Sequence, residues 1–322
     1  MGEFELIRRY FASAACAAGQ PGVVLGIGDD CALLQLAADE QLAISTDTLV
    51  AGVHFPQPCS AELLGQRALA VAASDLAGMG ASPLGFTLAL TLPQADAPWL
   101  QGFADGLQQM AAACGLSLIG GDTTRGPLSL TVTVFGRLPA GQALTRGAAQ
   151  EGDLLCVGGE LGAACAALEL LLHGREAPAT QRDALLQAFW SPMPQLSLGE
   201  YLRGRASAAL DISDGLLADC GHIAQASGVA LQIEQAAVPL SAAAEALLGH
   251  TAAQRCALSG GDDYRLAFTL PAEHWPALSV AFPAVRRIGR VVAGAGVQLL
   301  DEQGCPLPLP GSGYQHFGAV HG

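Results

Sequence analysis

Lysine is absent from this 322-residue chain, since all fifteen basic residues are arginine. That excludes P-loop, protein-kinase and Schiff-base chemistries, each of which needs a lysine amine. Charge is scarce altogether, at 14% of residues, against roughly 25% in an average globular protein. Each charged side chain therefore needs a reason. The excess is acidic, 29 residues against 15, for a net charge of −14. A surface of that sign repels nucleic acid and anionic lipid unless a cation intervenes, so neither is expected as a partner. No apolar run approaches the roughly 18 to 20 residues of a membrane span; even "LGAACAALELLL" is broken by Glu169. Glu3 and Glu5 precede the short Ala-rich N-terminal stretch, which does not suit a signal peptide, and Leu6 stands where a myristoylation motif wants Ser or Thr. The cysteines number nine, with no C-x-x-C pair, as expected of a reduced cytoplasmic protein. G-x-G-x-x-G, G-x-S-x-G and the EF-hand loop are also missing, and no side-chain nucleophile is expected.

What is there begins with alternation of element types. Strand-like runs occur at "QLAIST", "FTLALTL", "LSLTVTVFGRL", "DLLCV", "SAALDI", "VALQIE", "RLAFTL", "RRIGRVV" and "VQLL". Helical periodicity falls at Phe4 to Ala18, Ala61 to Met79, Trp99 to Cys114, Leu161 to His173, Gln195 to Arg203 and Gly215 to Ala226. Such alternation predicts α/β or α+β layers with mixed sheets. The apolar periodicity lapses where Pro139, Gly141, Gly147 and Gly152 cluster, which places a domain break near 140 to 150 and gives domains of 1–140 and 150–322. Ser74-Asp75 recurs as Ser213-Asp214 at an offset of 139, and Gly120-Gly121-Asp122 as Gly260-Gly261-Asp262 at an offset of 140. Nearly equal offsets hint at two related halves.

The acidic residues recur at turns after strands or on apolar helix faces. Asp29 and Asp30 lie in "GIGDD", Asp47 in "STDTLV", Asp122 in "GGDTTR", Asp211 and Asp214 in "ALDISDGLL" and Asp262 with Asp263 in "GGDDY". Ser213 is placed to cap the helix that follows. Asp75 stands four residues after Val71 and seven after Ala68, on the apolar face of its helix. A carboxylate there must be paired, hydrogen-bonded, protonated or metal-bound. Gathering these groups requires a cation, and oxygen-only ligands point to Mg²⁺, Mn²⁺ or Ca²⁺ rather than zinc. Mg²⁺ shared with phosphate oxygens is the reading that best suits an acidic site. Singly, each Asp is more readily a turn former; His54, Arg146 and the glycine turn of "CVGGELGAACA" each have equally plain structural explanations.

Together the stretches "GIGDDCALL", "STDTLVAGVHF", "AASDLAGMGASP", "GGDTTR", "LTRGAAQEGD", "ALDISDGLLAD" and "LSGGDDYRL" resemble the thiamine-monophosphate kinase family of the PurM-like ATP-using superfamily, from about residue 3 to the tail. The resemblance implies a PurM-like two-domain fold: an N-terminal domain that pairs through its sheet in a homodimer, a C-terminal α/β domain, and an active site in the cleft. It implies transfer of the γ-phosphoryl group of ATP to thiamine monophosphate with several Mg²⁺ ions. By family position, Asp30, Ser45, Thr46, Asp47, Asp75, Asp122, Asp211 and Asp214 would be metal ligands. Gly121, Asp122, Arg146 and Ser213 would lie at ATP, and His54, Asp262 and Phe317 at the thiamine substrate. The family pattern reads closer to G-G-E-D-Y-E-L; here Asp262 replaces the Glu and Arg265 the later acid. The rivals are another PurM-like synthetase, of selenophosphate or aminoimidazole-ribotide type, and a non-catalytic nucleotide-binding regulator.

Overall fold

Strict alternation along "SLTVTVFGRLP" buries Leu130, Val132, Val134, Gly136 and Leu138 on one side of a strand and leaves Thr131, Thr133, Phe135 and Arg137 on the other. That strand is central to the first of two compact units in a computed structural model that describes residues 3–310. The first unit takes Met1–Ala143 with Trp190–Leu196, and the second takes Leu144–Phe189 with Ser197–Gly322.

The first unit runs α1 (Glu3–Leu6), β1 (Val23–Leu25), β2 (Leu33–Leu34), β3 (Glu40–Val50), α2 (Ala61–Gly78), β4 (Ser82–Leu92), α3 (Ala97–Cys114), β5 (Ser117–Arg125) and β6 (Ser129–Pro139). The single helix expected over Phe4 to Ala18 is interrupted: a π-helical turn follows at Ile7–Ala12 and a 3₁₀ turn at Ala15–Ala17. β1 and β2 pair by themselves, while the main sheet has the order β3-β6-β4-β5, antiparallel except for β4 with β5. Gly120, Gly121 and Asp122 lie inside β5 rather than at a turn. Glycines weaken a strand's sequence signal, which is why this one escaped the alternation rule.

Helix α2 starts where Ser60 accepts the Leu63 amide, and α3 where Asp96 accepts that of Trp99. The two helices meet backbone to backbone at two glycines. A Cβ on Gly65 would lie 2.3 Å from the Phe103 carbonyl oxygen, and one on Gly106 only 1.9 Å from that of Glu62. This contact fixes α2 and therefore the direction in which Asp75 leaves it.

The second unit contains β7 (Leu154–Val157), α4 (Ala163–Leu171), α5 (Ala179–Trp190), α6 (Leu196–Leu202), β8 (Ala208–Asp211), α7 (Leu216–Ser227), β9 (Ala230–Glu234), α8 (Ala242–Leu248), α9 (His250–Ser259), β10 (Leu266–Leu270), α10 (Trp275–Ala281), β11 (Arg286–Val292), β12 (Gly296–Leu300) and β13 (Pro306–Leu307). The ends of α5 and α6 reach into the segment assigned to the first unit. The seven strands order as β13-β12-β9-β11-β7-β10-β8. Leu155, Val157, Leu210, Ile233 and Ile288 from the sheet pack with Leu216, Cys220 and Ile223 of α7. The short helices α8 and α9 lack long periodic runs, and the sequence did not announce them.

Gly106→Ala should lower the stability of the protein by about 1–3 kcal/mol, the usual range for overpacking. The control is Gly221→Ala, on α7 with nothing within 4 Å of its would-be Cβ, which should gain about 0.4–1 kcal/mol. Urea unfolding measures both, and equal shifts would refute a close-approach role for Gly106.

Candidate active site

On β3, Ser45 and Asp47 share the face turned toward α2, because successive strand residues alternate. Asp75 descends from α2 to meet them, and the Ser45 hydroxyl donates to its Oδ2. Burial, reinforced by the Asp75 charge, pushes the Asp47 carboxyl up to about 6. A like charge that raises a neighbour's pKa marks a place where a cation would be welcome. The Thr46 side chain points to the opposite face, where its hydroxyl bonds that of Thr133 at 2.9 Å. Its side chain therefore stands apart from Asp47 and Asp75, and any part in metal binding falls to its main chain.

A second carboxylate group lines a cavity of about 630 Å³ within the first unit. The turn between β1 and β2 brings Asp29 and Asp30 to it, β5 brings Gly121 and Asp122, and Arg8 and Phe11 come from the N-terminal helical turns. Asp29 Oδ1 accepts the Asp30 amide and so stiffens that turn. Gly121 is required twice over, by φ of +152° and because a Cβ would sit 2.0 Å from the Leu88 carbonyl oxygen. His54 follows β3, and its Nδ1 accepts the Val50 amide at 3.0 Å. In the neutral ring the proton is then on Nε2. The His54 carbonyl in turn accepts from the buried Arg67 of α2 at 3.4 Å.

In the second unit the chain leaves β8 at the buried Asp211 and turns through Ser213 and Asp214 into α7. Ser213 does not cap this helix. Instead, buried Asp219 takes the amides of Ser213, Asp214 and Gly215 at 3.0, 3.0 and 3.1 Å on one carboxylate oxygen. Burial pushes Asp219 up to about 6 despite those bonds. Asp214, Asp219 and exposed His222 bring ligand atoms within 4.8 Å of one another.

The loop Gly260–Tyr264 docks on this turn, with the Asp262 amide on the Ser213 carbonyl and the Tyr264 amide on that of Ile212, each at 2.8 Å. Asp262 and Tyr264 both have positive φ, 61° and 48°, and the Tyr264 hydroxyl donates to Asp262 Oδ1 at 3.0 Å. Backbone strain of this kind is kept where surrounding contacts over-determine it, and such places cluster at functional sites. Asp263 Oδ1 accepts the Gly162 amide at 2.8 Å. That amide opens α4 and is thus occupied by a carboxylate of the chain itself. Arg146 is exposed on the loop before β7, its carbonyl held by the Ser227 hydroxyl. Phe317 lies outside the described residues.

Sequence reasoning gave Asp219 no role, though an acid in the first turn of a helix behind "ISDG" is a recognisable capping signal. It also named Asp263 without a role, and no pattern could show that its carboxylate is turned inward. Burial pushes the Asp263 carboxyl up to about 8. An acid whose folded pKa lies above its unfolded one holds its proton more tightly in the folded chain, so its ionisation destabilises the fold as pH rises. Asp263→Asn should therefore gain stability relative to the parent progressively from about pH 4, the unfolded value, to pH 8, and no further above. Urea unfolding across that range checks this, and a difference that shrinks with pH would contradict it.

These geometries agree with what the chain is similar to. The family model described as AIR synthase related protein, N-terminal domain, matches residues 28–138. The thiamine-monophosphate kinases of Salmonella typhimurium and Escherichia coli K12 are each 44% identical, with 98% of this chain and 98% of theirs covered. A crystal structure of thiamine-monophosphate kinase from Stenotrophomonas maltophilia K279a superposes with a TM-score of 0.86 at 45% identity, covering 93% of this chain and 96% of that one. A ThiL protein complexed with AMPPCP and TMP superposes with a TM-score of 0.79 at 31% identity, covering 88% and 89%. The hydrogenase maturation protein HypE, at 20% identity and a TM-score of 0.76, shares the fold. With its carboxylate-bearing sheet and loops and this similarity along nearly its whole length, the chain belongs to the thiamine-monophosphate kinase family, ATP-dependent kinases of PurM-like fold.

Proposed function

We propose that the protein transfers the γ-phosphoryl group of ATP to thiamine monophosphate, giving thiamine diphosphate and ADP, with Mg²⁺ as the required cation. The observation that carries this reading is the Ser45, Asp47 and Asp75 cluster, an all-oxygen face on which burial, with the Asp75 charge added, raises Asp47 to about 6. The relative complexed with AMPPCP and TMP supports the substrate pair.

The donor set fits a hard divalent ion, which favours carboxylate and hydroxyl oxygens. Asp47 and Asp75, with Ser45, would hold it, and so would Asp30 and Asp122; Asp211 and Asp214 are further proposed ligands from the second unit. Bound there, Mg²⁺ supplies the positive charge that lets two polyanions approach and offsets charge in a loose phosphoryl-transfer transition state. Arg146 and Gly121 are proposed to meet ATP, with Ser213, while His54 and Asp262 meet the thiamine substrate. His54 would offer Nε2–H to the acceptor phosphate. A phosphate monoester has its second pKa near 6, so at neutral pH the attacking oxygen is already largely deprotonated and no general base is needed. Transfer is then direct and in line, without a phosphoenzyme. A homodimer is proposed through the outer face of the first unit's sheet, where Leu42, Ile44 and Val50 are exposed beside the Thr46–Thr133 and Thr48–Thr131 rows.

Purified protein given ATP, Mg²⁺ and thiamine monophosphate should form thiamine diphosphate, and should form none with EDTA or with free thiamine as acceptor. Release of orthophosphate instead would favour the synthetase reading, and ATP binding without turnover on any acceptor the regulatory one. Asp75→Asn should lower kcat by at least about a hundredfold, the scale of a lost electrostatic group, while leaving the unfolding midpoint nearly unchanged. Near-normal turnover by the folded variant would remove Asp75 from the mechanism.

A further inference from the structure

Cys165 on α4 and Cys256 on α9 bring their sulfurs to 2.6 Å. For comparison, the packed sulfurs of Cys114 and Met110 are 3.6 Å apart, and a disulfide closes to roughly 2.05 Å. Both thiols are partly exposed, whereas Cys114, Cys156 and Cys220 are buried. Arg255, whose positive charge favours a neighbouring thiolate, directly precedes Cys256.

The pair also abuts the strained loop of the second unit. A Cβ on Gly260 would lie 2.5 Å from the Cys165 Cβ and 2.8 Å from its Sγ, and 2.5 Å from the Cys256 carbonyl oxygen. That carbonyl accepts the Gly260 amide at 2.8 Å. Gly162, the residue that opens α4, gives its amide to Asp263 at 2.8 Å. The Gly260–Tyr264 loop is thus held at one end by the last turn of α9 and at its middle by the start of α4, and the two sulfurs join those supports.

We propose that Cys165 and Cys256 form a reversible disulfide, made by exchange with low-molecular-weight disulfides, which clamps α4 to α9 and fixes the Gly260–Tyr264 loop. The inference does not rest on the kinase reading. Exchange needs a thiolate that attacks and a second thiol that resolves. Cys256 supplies the first, because the hydrogen bond from the Cys165 thiol, helped by Arg255, outweighs burial and lowers it below the ordinary cysteine range. Its thiolate attacks one sulfur of R–S–S–R and expels RS⁻, leaving a mixed disulfide on Cys256. Cys165 is held high chiefly by its bond to Cys256, and that bond ends once Cys256 is capped. Cys165 then loses its proton to solvent and attacks the Cys256 sulfur, expelling the second RS⁻. In sum two protein thiols and R–S–S–R give one protein disulfide and two RSH, with two electrons passing to the reagent.

The test is to equilibrate the full chain across ratios of reduced to oxidised glutathione, alkylate free thiols, and digest with trypsin without reduction. A peptide of residues 147–175 joined to residues 256–265, two hydrogens lighter than the sum, should accumulate as oxidised glutathione rises and vanish with dithiothreitol. Fragment ions should assign the link to Cys165 rather than Cys156 in the parent protein itself, so the result stands even where a serine variant fails to fold. In Cys165→Ser the linked peptide should be lost and a glutathione adduct remain on Cys256. Hydrogen exchange at residues 260–264 should slow several-fold on oxidation. Glutathione adducts on both cysteines with no linked peptide, a link through Cys156, or unchanged exchange in the loop would overturn the proposal.

Discussion

Carboxylates held together in a chain with little opposite charge are the constraint on which the rest of the structure depends. Burial would ordinarily protonate such groups or force them apart, and at Asp47 and Asp219 it shifts the pKa to about 6. Near neutrality these groups are therefore mostly ionised and still repelling. Folding must hold them against that repulsion, which the proposed divalent ion would relieve once bound.

Backbone geometry does much of the holding. In the first unit the Gly65 and Gly106 contact lets α2 and α3 approach so closely that α2 cannot slide, and Asp75 is delivered to Ser45 and Asp47. In the second, a single oxygen of Asp219 collects three successive amides and sets the turn that carries Ser213 and Asp214. The hydrogen bonds of Asp262 and Tyr264 to that turn then set the neighbouring loop. Each unit thus positions its acids through close backbone contacts and amide hydrogen bonds.

This division explains how much could be read from the residues alone. Long, cleanly periodic elements such as β6 and α3 were legible, because alternation and helical spacing are imposed by the core they face. The acids that the structure brings together, Asp47 with Asp75 and Asp30 with Asp122, stood out as well, since charge is rare in this chain. Three things were not. Thr46 sits between two site residues, and only the pleat shows that its side chain faces away from them. The strand through Gly120, Gly121 and Asp122 read as a turn because glycine carries no side-chain pattern. The capping of the "ISDG" turn passed from Ser213 to Asp219 because a carboxylate one turn into the helix reaches three amides where a hydroxyl reaches one.

The Asp262 departure from the family pattern acquires a physical account from the same loop. At φ of 61° the left-handed region disfavours most L residues, while Asp and Asn enter it several-fold more readily than others. Asp at this position therefore suits the backbone better than Glu, at the cost of one methylene of reach. The Tyr264 hydroxyl on Asp262 Oδ1 fixes the shorter carboxylate, and a fixed group loses less side-chain entropy when it meets a substrate than a longer, mobile one. If Asp262 has the substrate contact proposed for it, reach has been exchanged for preorganisation, and the substrate would have to come closer to the loop here than in a chain that carries Glu.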